Sequence, residues 1–269
     1  MNESMILIKA SVIMAEFNTD YKKLIQSIDS LLRQSFQEFE IILIDDCGHI
    51  DLGQVVLHFN DPRIRIIKND RNRGLPYSLN RAIKESKAEI IFRMDTDDIA
   101  LSNRFEKQFN FLNQNPDIDV VGSCANQLSD GIVVGKIGKP GEKGAREIMR
   151  GDSLIHPSVA FRKSSVEKVG GYPNRNRAED LALWCELLLN GSKLFVMEDV
   201  LLNYRVDSLD YQKRRMRHRK GEIQTRLYYY PKLNAGPLEY LRIIKSIIAG
   251  ILPPVLIRFY RNRLIVKNE

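Results

Sequence analysis

Short apolar segments alternate with amphipathic ones in the first third of the chain, and this alternation constrains the fold more than any other feature. Four apolar segments are typical of strands that are buried on both faces; they lie at residues 6–14, 40–44, 64–68 and 90–93. After the first and the third of them, apolar residues recur at helical spacing, at 24–32 and 75–83. This short alternation of strand and helix predicts a parallel sheet with right-handed crossovers.

The second half of the chain is more mixed, and we expect it to complete the same domain. Ser102 is placed to cap a helix over 105–112, and a further helix over 179–189 is closed by Asn190 and Gly191. Shorter strands are predicted at 120–121, 132–134, 159–162 and 200–206.

Two acidic clusters follow predicted strands. Asp45 and Asp46 come after the second strand, and Asp95, Asp97 and Asp98 come after the fourth. Ligands of open parallel sheets bind beyond the carboxyl ends of the strands. Carboxylates in close array need a compensating cation, and their hard oxygens suit Mg²⁺ or Mn²⁺. An isolated Asp-x-Asp is usually a solvated turn, but two clusters at one sheet edge favour a metal site.

A third acidic pair, Glu179 and Asp180, opens the helix at 179–189. Acidic residues in a first turn interact favourably with the helix dipole, which would explain the pair without any function. The alternative is a catalytic base that deprotonates an acceptor hydroxyl. The chain has no P-loop, no GxGxxG and no Ser-His-Asp order, which disfavours an NTPase, a dinucleotide dehydrogenase and a serine hydrolase.

The positive charge of the chain is concentrated in its last quarter. The 269 residues carry a formal net charge of +7, yet from Tyr204 onward 15 Lys and Arg stand against 5 Asp and Glu. This region contains the basic run 213–220 and an amphipathic segment at 238–248. In that segment, helical spacing places an apolar stripe opposite a charged stripe. The apolar stripe is Leu241, Ile244 and Ile248, and the charged stripe is Glu239, Arg242 and Lys245.

Basic amphipathic segments are typical of helices that lie in a membrane interface, next to anionic headgroups. The tail could instead pack on the main domain or on another protomer, so a homo-oligomer stays open. No nucleic-acid-binding motif accompanies the basic run, so we expect no nucleic-acid partner. We therefore predict a catalytic domain at 1–206 and a basic amphipathic helical tail at 207–269, possessing affinity for an anionic membrane surface.

Cysteine usage and hydropathy bear on the compartment. Cys47, Cys124 and Cys185 are far apart and without metal-ligand spacing, which fits a reducing environment. The longest uncharged apolar stretch, 246–257, contains two prolines and is shorter than the roughly 20 residues that a spanning helix needs. The first residues also lack the positive charge of a signal peptide. We expect a cytoplasmic protein, peripheral on the inner face of the plasma membrane.

Several segments together resemble a known family, in register over roughly residues 9–206. These segments are Gln34-Ser35-Phe36 with 39–47, Asn72-Arg73-Gly74-Leu75 with Asn80 and Ala82, Met94 to Asp98, His156-Pro157-Ser158, Gly170-Gly171-Tyr172, Ala178-Glu179-Asp180-Leu181 to Trp184, and Tyr204-Arg205-Val206. With them the chain resembles a family 2 glycosyltransferase of the GT-A fold, the type found in bacterial polysaccharide assembly. The resemblance implies an α/β fold with a Rossmann-like, mostly parallel sheet flanked by helices.

The resemblance also implies an activity and its residues. It implies metal-dependent transfer, with inversion, of a sugar from a nucleotide-sugar, a UDP-sugar, to a hydroxyl of a glycan or polyprenyl-linked glycan acceptor. Asp97 would be the principal ligand of Mg²⁺ or Mn²⁺ and Asp98 a supporting one, and Asp180 would be the base. The implied nucleotide-binding positions are Ala15, Phe17, Asp45, Asp46, Arg73 and Asp95. The positions implied for the acceptor or diphosphate are His156, Glu179, Arg205 and Asp207.

Two departures from the family and three alternatives qualify this assignment. Where the family usually has Pro after the first strand, this chain has Ala15 to Asn18, and where it often has His after the Tyr-Arg pair, this chain has Asp207. His156 could equally be a loop-anchoring histidine. A nucleotidyltransferase also uses paired carboxylates on an α/β sheet, and a non-catalytic scaffold of the same fold is the alternative that is not an enzyme.

Overall fold

A computed structural model describes residues 7–175, 177–206 and 216–251. Within these residues the strands are β1 (Ala10–Glu16), β2 (Phe39–Asp45), β3 (Ile64–Lys68), β4 (Ile90–Arg93), β5 (Ile99–Ala100), β6 (Val120–Ser129), β7 (Ile132–Ile137), β8 (Gly141–Glu142), β9 (Ala160–Arg162) and β10 (Leu194–Arg205). The helices are α1 (Tyr21–Leu32), α2 (Leu52–Phe59), α3 (Leu75–Glu85), α4 (Arg104–Gln114), α5 (Ala145–Arg150), α6 (Lys163–Lys168), α7 (Glu179–Leu189), α8 (Met216–Tyr229) and α9 (Pro237–Ile251).

All the described strands belong to one sheet, in the order β3-β2-β1-β4-β9-β6-β10-β5, with β7 beside β6 and β8 beside β10. The first four strands of this order are parallel, as the alternation predicts. Strand β9 runs antiparallel to β4 and β6, and β10 runs parallel to β6. The second half of the chain thus extends the parallel sheet with mixed pairing.

Alternate residues of the parallel strands supply two separate apolar cores, one on each face of the sheet. Ile13 and Ile42 pack with α3 and α7 on one face, whereas Val12 and Ile41 pack with α1 and α4 on the other. Because both faces are covered, β2 is buried along its whole length. The predicted α/β class with helices flanking a mostly parallel sheet is confirmed.

Several element boundaries differ from the predictions. Helix α2 was not expected, because Gly53 in its first turn interrupts the apolar spacing, but Asp51 caps it by accepting the Gly53 N–H at 2.9 Å. Helix α4 is preceded by Asn103 rather than capped by Ser102. Strand β10 begins at Leu194 instead of Val200, with register shifts against β6 that obscure its periodicity.

Helices α8 and α9 lie in the predicted tail and pack on the main body of the protein. Tyr229 joins the core that includes Trp184, and Tyr230 and Ile243 form a smaller cluster with Met149 of α5. No helix among the described residues is long and apolar enough to span a membrane. Asp207, the start of the basic run and residues 252–269 lie outside the described part of the chain, and the boundary at residue 206 stays a prediction.

Candidate active site

The carboxyl ends of β1, β2 and β4 meet at one edge of the sheet. Glu16 at the end of β1 lies opposite Asp45 at the end of β2. The Met94 N–H donates to the Ile13 carbonyl at 3.1 Å, so the residues that follow β4 start level with β1. The structure therefore places both acidic clusters of the sequence at the edge where ligands of parallel sheets bind.

Asp95, Asp97 and Asp98 form a compact carboxylate cluster after β4. One oxygen from each lies within 4.8 Å of the others. Asp98 is only 1% exposed; its Oδ1 accepts the Arg205 N–H at 2.8 Å, and its Oδ2 has no partner among the described residues. The Thr96 and Thr19 hydroxyls share a 2.6 Å hydrogen bond, which ties the loop to the region before α1.

Charge and burial make this cluster suited to a cation. Burial, followed by the charge of Asp95, raises the pKa of Asp98 to about 8, and the same two causes raise the pKa of Asp97. Three carboxylates this close cannot all be ionised without a compensating charge. Hard oxygen donors and an unpartnered buried oxygen on Asp98 fit Mg²⁺ or Mn²⁺.

Arg93, which the sequence reasoning did not select, is a buried cation beside the cluster. Its Nη2 donates to Asp95 Oδ1 at 2.6 Å, while Nε and Nη1 have no partner in the described ranges. Behind it, the buried Arg104 donates to the Arg93 carbonyl at 2.7 Å. Burial and the positive charge of Arg93 lower the pKa of Arg104 to about 9. The sequence does contain a signal for Arg93, because it is a charged residue at the end of the otherwise apolar strand β4.

Glu179 and Asp180 occupy the first turn of α7. Asp180 Oδ1 accepts the Leu181 N–H at 2.7 Å, and Ala178 provides no side-chain cap. Burial raises the pKa of both carboxyls, while the charge of Arg93 opposes both shifts. Both carboxyls therefore lie within electrostatic range of Arg93, and they retain protons more readily than ordinary acidic residues.

Among the described residues, His156 contacts aromatic side chains and no carboxylate. Its Nε2 shares a 2.9 Å hydrogen bond with the Tyr172 hydroxyl, and its ring stands edge-on to Trp184. Asn80 holds Tyr172 by accepting its N–H at 2.7 Å and donating to its carbonyl at 2.9 Å. Burial and Arg93 lower the pKa of His156, so the imidazole is neutral near pH 7. These contacts match the loop-anchoring alternative.

The residues after β2 differ in how far their side chains are already engaged. Asp46 uses both carboxylate oxygens, accepting the Arg73 and Gly74 N–H groups at 2.8 Å and the Asn69 amide at 2.6 Å. Asp45 accepts the Cys47 N–H at 2.9 Å, and its other oxygen lies 3.6 Å from Lys68 Nζ. Asp46 therefore shapes the loop before α3.

Other predicted positions surround the same edge. The Arg73 guanidinium pairs with Asp70 at 2.8 Å, and Phe17 is half exposed beside Ala15 of β1. The Arg205 guanidinium contacts Gln26, whereas Asp207 is outside the described residues.

The sequence reasoning also missed Glu16, which is fully buried at the end of β1. One of its carboxylate oxygens accepts the Thr19 N–H at 3.0 Å, and the other has no partner within the described chain. A side chain at Gly48 would place its Cβ 2.6 Å from Glu16 Oε2, so the loop after β2 passes close to this carboxylate.

Curated relatives match most of the chain. The Escherichia coli O-antigen biosynthesis glycosyltransferase WbnJ is 31% identical over 88% of this chain and 91% of its own length. The E. coli UDP-Gal:alpha-D-GlcNAc-diphosphoundecaprenol beta-1,3-galactosyltransferase is 27% identical over 94% of each chain.

Solved structures share the fold. S. aureus TarS 1-349, in complex with UDP-GlcNAc, superposes with a TM-score of 0.64 at 21% identity over 75% of this chain; the match spans 59% of the length of TarS 1-349. The Pyrobaculum calidifontis mannosyltransferase PcManGT, in complex with GDP-Man and Mn²⁺, gives a TM-score of 0.65 at 16% identity over 91% of this chain and 70% of that one. The fold is that of the GT-A glycosyltransferases.

The family model of glycosyl transferase family 2 matches residues 11–170, which run from the second residue of β1 through β4 and include the carboxylate cluster. The sheet, its acidic edge and the relatives agree with this match. The chain is a glycosyltransferase and belongs to glycosyl transferase family 2.

Proposed function

We propose that this enzyme transfers a sugar, with inversion, from a UDP-sugar to a hydroxyl of a glycan or polyprenyl-linked glycan in surface polysaccharide synthesis, with Mg²⁺ or Mn²⁺ as cofactor. The name of one E. coli relative gives UDP-Gal as its donor and a diphosphoundecaprenol-linked sugar as its acceptor. The cluster of Asp95, Asp97 and Asp98 is the observation that carries the proposal. Arg93 supplies one positive charge, paired with Asp95, against three carboxylates, and a buried oxygen of Asp98 has no partner among the described residues, so a divalent cation would complete the charge balance.

Asp97 and Asp98 would hold the divalent ion, and Asp95 would lie against the ribose or the hydration shell of the ion. When bound, the ion neutralises the charge that develops on the diphosphate leaving group. Asp45, Arg73, Ala15 and Phe17 would line the nucleotide pocket. Asp46 would contribute by fixing the backbone of Arg73 and Gly74, to which it is already bonded.

Asp180 would act as the base. Its carboxylate takes the proton of the acceptor hydroxyl, whose oxygen attacks the anomeric carbon while the bond to the diphosphate breaks on the opposite side. A raised pKa suits this role, because proton transfer is most effective when the pKa of the base approaches the working pH. Glu179, His156, Arg205 and Asp207 are proposed to contact the acceptor or the diphosphate.

The test compares Asp97→Asn and Asp180→Asn in calorimetry and in transfer assays. Asp97→Asn should weaken donor binding only when Mn²⁺ is present, whereas Asp180→Asn should bind donor normally and lose about 10²-fold or more in kcat. The matched control is Asp117→Asn, which should change neither property. Asp117 is a surface carboxylate that precedes β6, and it pairs with Lys193, which precedes β10.

The products decide between enzyme classes. Release of UDP with an inverted anomeric centre is expected, whereas release of diphosphate would identify a nucleotidyltransferase. Undiminished transfer by a correctly folded Asp180→Asn would exclude the assigned base. Failure to bind any nucleotide-sugar in the presence of Mn²⁺ would favour a scaffold.

A further inference from the structure

Helix α9 packs on the protein through a partly polar stripe. Glu239, Ile243 and Ser246 recur at helical spacing and are the buried residues of this helix among those whose side chains the structure describes. Glu239 accepts from Arg150 Nε at 2.9 Å, and Ile243 contacts the cluster of Met149 and Tyr230. The side of α9 that faces the domain therefore includes a carboxylate and a hydroxyl.

The opposite side of α9 presents large apolar residues to solvent. We call it the outer face; it consists of Leu238 (64% exposed), Leu241 (46%), Ile244 (50%), Ile247 (37%) and Ile248 (51%). An ordinary surface helix has the reverse arrangement, with its apolar stripe toward the core. An apolar face of this kind that is exposed to solvent marks an interaction site.

The positive charge around the outer face favours an anionic partner. Lys245 is exposed within it, and Lys232 is exposed in the turn before α9 with its Nζ 3.7 Å above the Tyr228 ring. The sequence from Tyr204 onward has 15 Lys and Arg against 5 Asp and Glu. A second copy would bring another strongly positive tail to the contact, whereas anionic headgroups complement it.

We propose that the outer face of α9 docks on an anionic lipid bilayer. Its leucines and isoleucines enter the boundary between headgroups and acyl chains, and the exposed Lys232 and Lys245 contact the headgroups. The helix lies in the interface rather than across the membrane, in keeping with its 15 residues.

Helix α8 connects this surface to the proposed base. The Tyr229 hydroxyl donates to Glu186 of α7 at 2.7 Å, and the Arg175 guanidinium lies 4.5 Å from the Tyr228 ring centroid. A docked α9 would hold α7, which begins with Glu179 and Asp180, at a fixed position relative to the bilayer. This position would let the proposed base receive a lipid-linked acceptor from the membrane. That consequence rests on the proposed function, whereas the docking of α9 does not.

The test is sedimentation of the full-length protein with vesicles of phosphatidylcholine, with and without phosphatidylglycerol. Wild type should bind only the vesicles that contain phosphatidylglycerol, and added salt should weaken binding. The double variant L241D/I244D should bind about tenfold less or weaker still, because two apolar contacts are replaced by negative charge. The matched control is L57D on α2, where Leu57 is 79% exposed outside this face.

Controls separate docking from folding, self-association and catalysis. Both replaced side chains are exposed, so the double variant should keep the wild-type unfolding temperature and its transfer to a water-soluble acceptor. Equal vesicle binding by wild type and L241D/I244D overturns the proposal, as does the absence of binding by wild type. A wild-type dimer in light scattering that L241D/I244D abolishes, without any vesicle binding, would assign the outer face to a second copy instead.

Discussion

Arg93 balances the carboxylate cluster when no metal is bound. It is buried, it pairs with Asp95 at 2.6 Å, and two of its nitrogens have no partner in the described chain. Its charge also acts on Asp98, Glu179 and Asp180. One guanidinium thus offsets the mutual repulsion of acidic residues that come from two different elements.

We predict that Arg93→Met makes stability depend on the divalent ion. Without metal, Asp95 loses its cation, which we expect to lower the free energy of unfolding by about 2 kcal/mol, less than for a fully buried pair since Asp95 is partly exposed. With Mn²⁺ the lost charge is replaced, so the rise in unfolding temperature on adding Mn²⁺ should be larger than in wild type. Arg93→Lys should behave nearer to wild type, and equal Mn²⁺ shifts in all three proteins would contradict this role.

The raised pKa of Asp180 predicts the acid limb of the pH profile. The base must be ionised, so kcat/KM should fall as pH drops through its pKa, which burial places above the ordinary value of about 3.9. A carboxyl whose pKa is raised by folding binds its proton more tightly in the folded state. It therefore lowers stability as pH rises between the two pKa values.

Asp180→Asn should accordingly remove activity without lowering the unfolding temperature at pH 7. Scanning calorimetry alongside the transfer assay checks this, and it separates loss of the base from loss of the fold. A variant that is both inactive and clearly destabilised would mean that Asp180 mainly supports α7.

At the scale of elements, the sequence predicted most reliably where one pattern acts alone. Ile64–Lys68, Ile90–Arg93 and Glu179–Leu189 have the predicted bounds, because short apolar strands and a helix closed by Asn190-Gly191 carry continuous local signals. The prediction that Ile64–Lys68 is buried on both faces is wrong, because this strand lies at the edge of the sheet and only its first residue is buried. Strand β10 was predicted too short, since its register against β6 shifts and only tertiary pairing defines its beginning.

Some residues of the candidate site are predictable from local sequence patterns, and others are not. Acidic clusters after strands are visible in the sequence, because the ends of parallel strands share an edge. Arg93 and Glu16 were missed, since their importance comes from burial next to residues far away in the chain. The roles of Asp97, Asp98 and Asp180 stay predictions until the variants are measured.

Two adjacent glycines before α7 provide a test at this scale. Gly170 and Gly171 both have positive φ, at 85° and 78°. A Cβ at Gly170 would meet nothing within 4 Å, whereas one at Gly171 would overlap the Asn80 amide that holds Tyr172. Gly170→Ala should therefore cost about 1–2 kcal/mol of backbone strain, and Gly171→Ala about 1–3 kcal/mol more.

Chemical denaturation of the two variants measures the difference. Gly171→Ala should also disturb the contact of Tyr172 with His156, which the chemical shifts of the imidazole would report. Equal losses of stability would show that Asn80 moves aside freely and does not fix the loop.

At the scale of the whole molecule, the tail helices are integrated into the fold. Tyr229 is buried in the core with Trp184, and Tyr230 donates to the Met149 carbonyl at 2.6 Å. The sequence showed that the segment after residue 236 is amphipathic but not which side packs, because a polar stripe can be buried when Arg150 pairs with Glu239. If the domain ends at residue 206 as predicted, 1–206 should unfold independently of the tail. The packing of α8 on the main body instead predicts that the two parts unfold together.

If α8 and α9 belong to the same cooperative unit, loss of their packing must destabilise the catalytic domain. Replacing a buried aromatic residue by Ala costs about 3–5 kcal/mol, a large part of a total stability of about 5–15 kcal/mol. Tyr229→Ala should thus lower the unfolding temperature of the full-length protein strongly, whereas Tyr228→Ala, at a half-exposed neighbour, should change it little. Calorimetry should show one transition that moves as a whole. A second transition, with the main one unchanged in Tyr229→Ala, would instead mean that 1–206 folds independently of the tail.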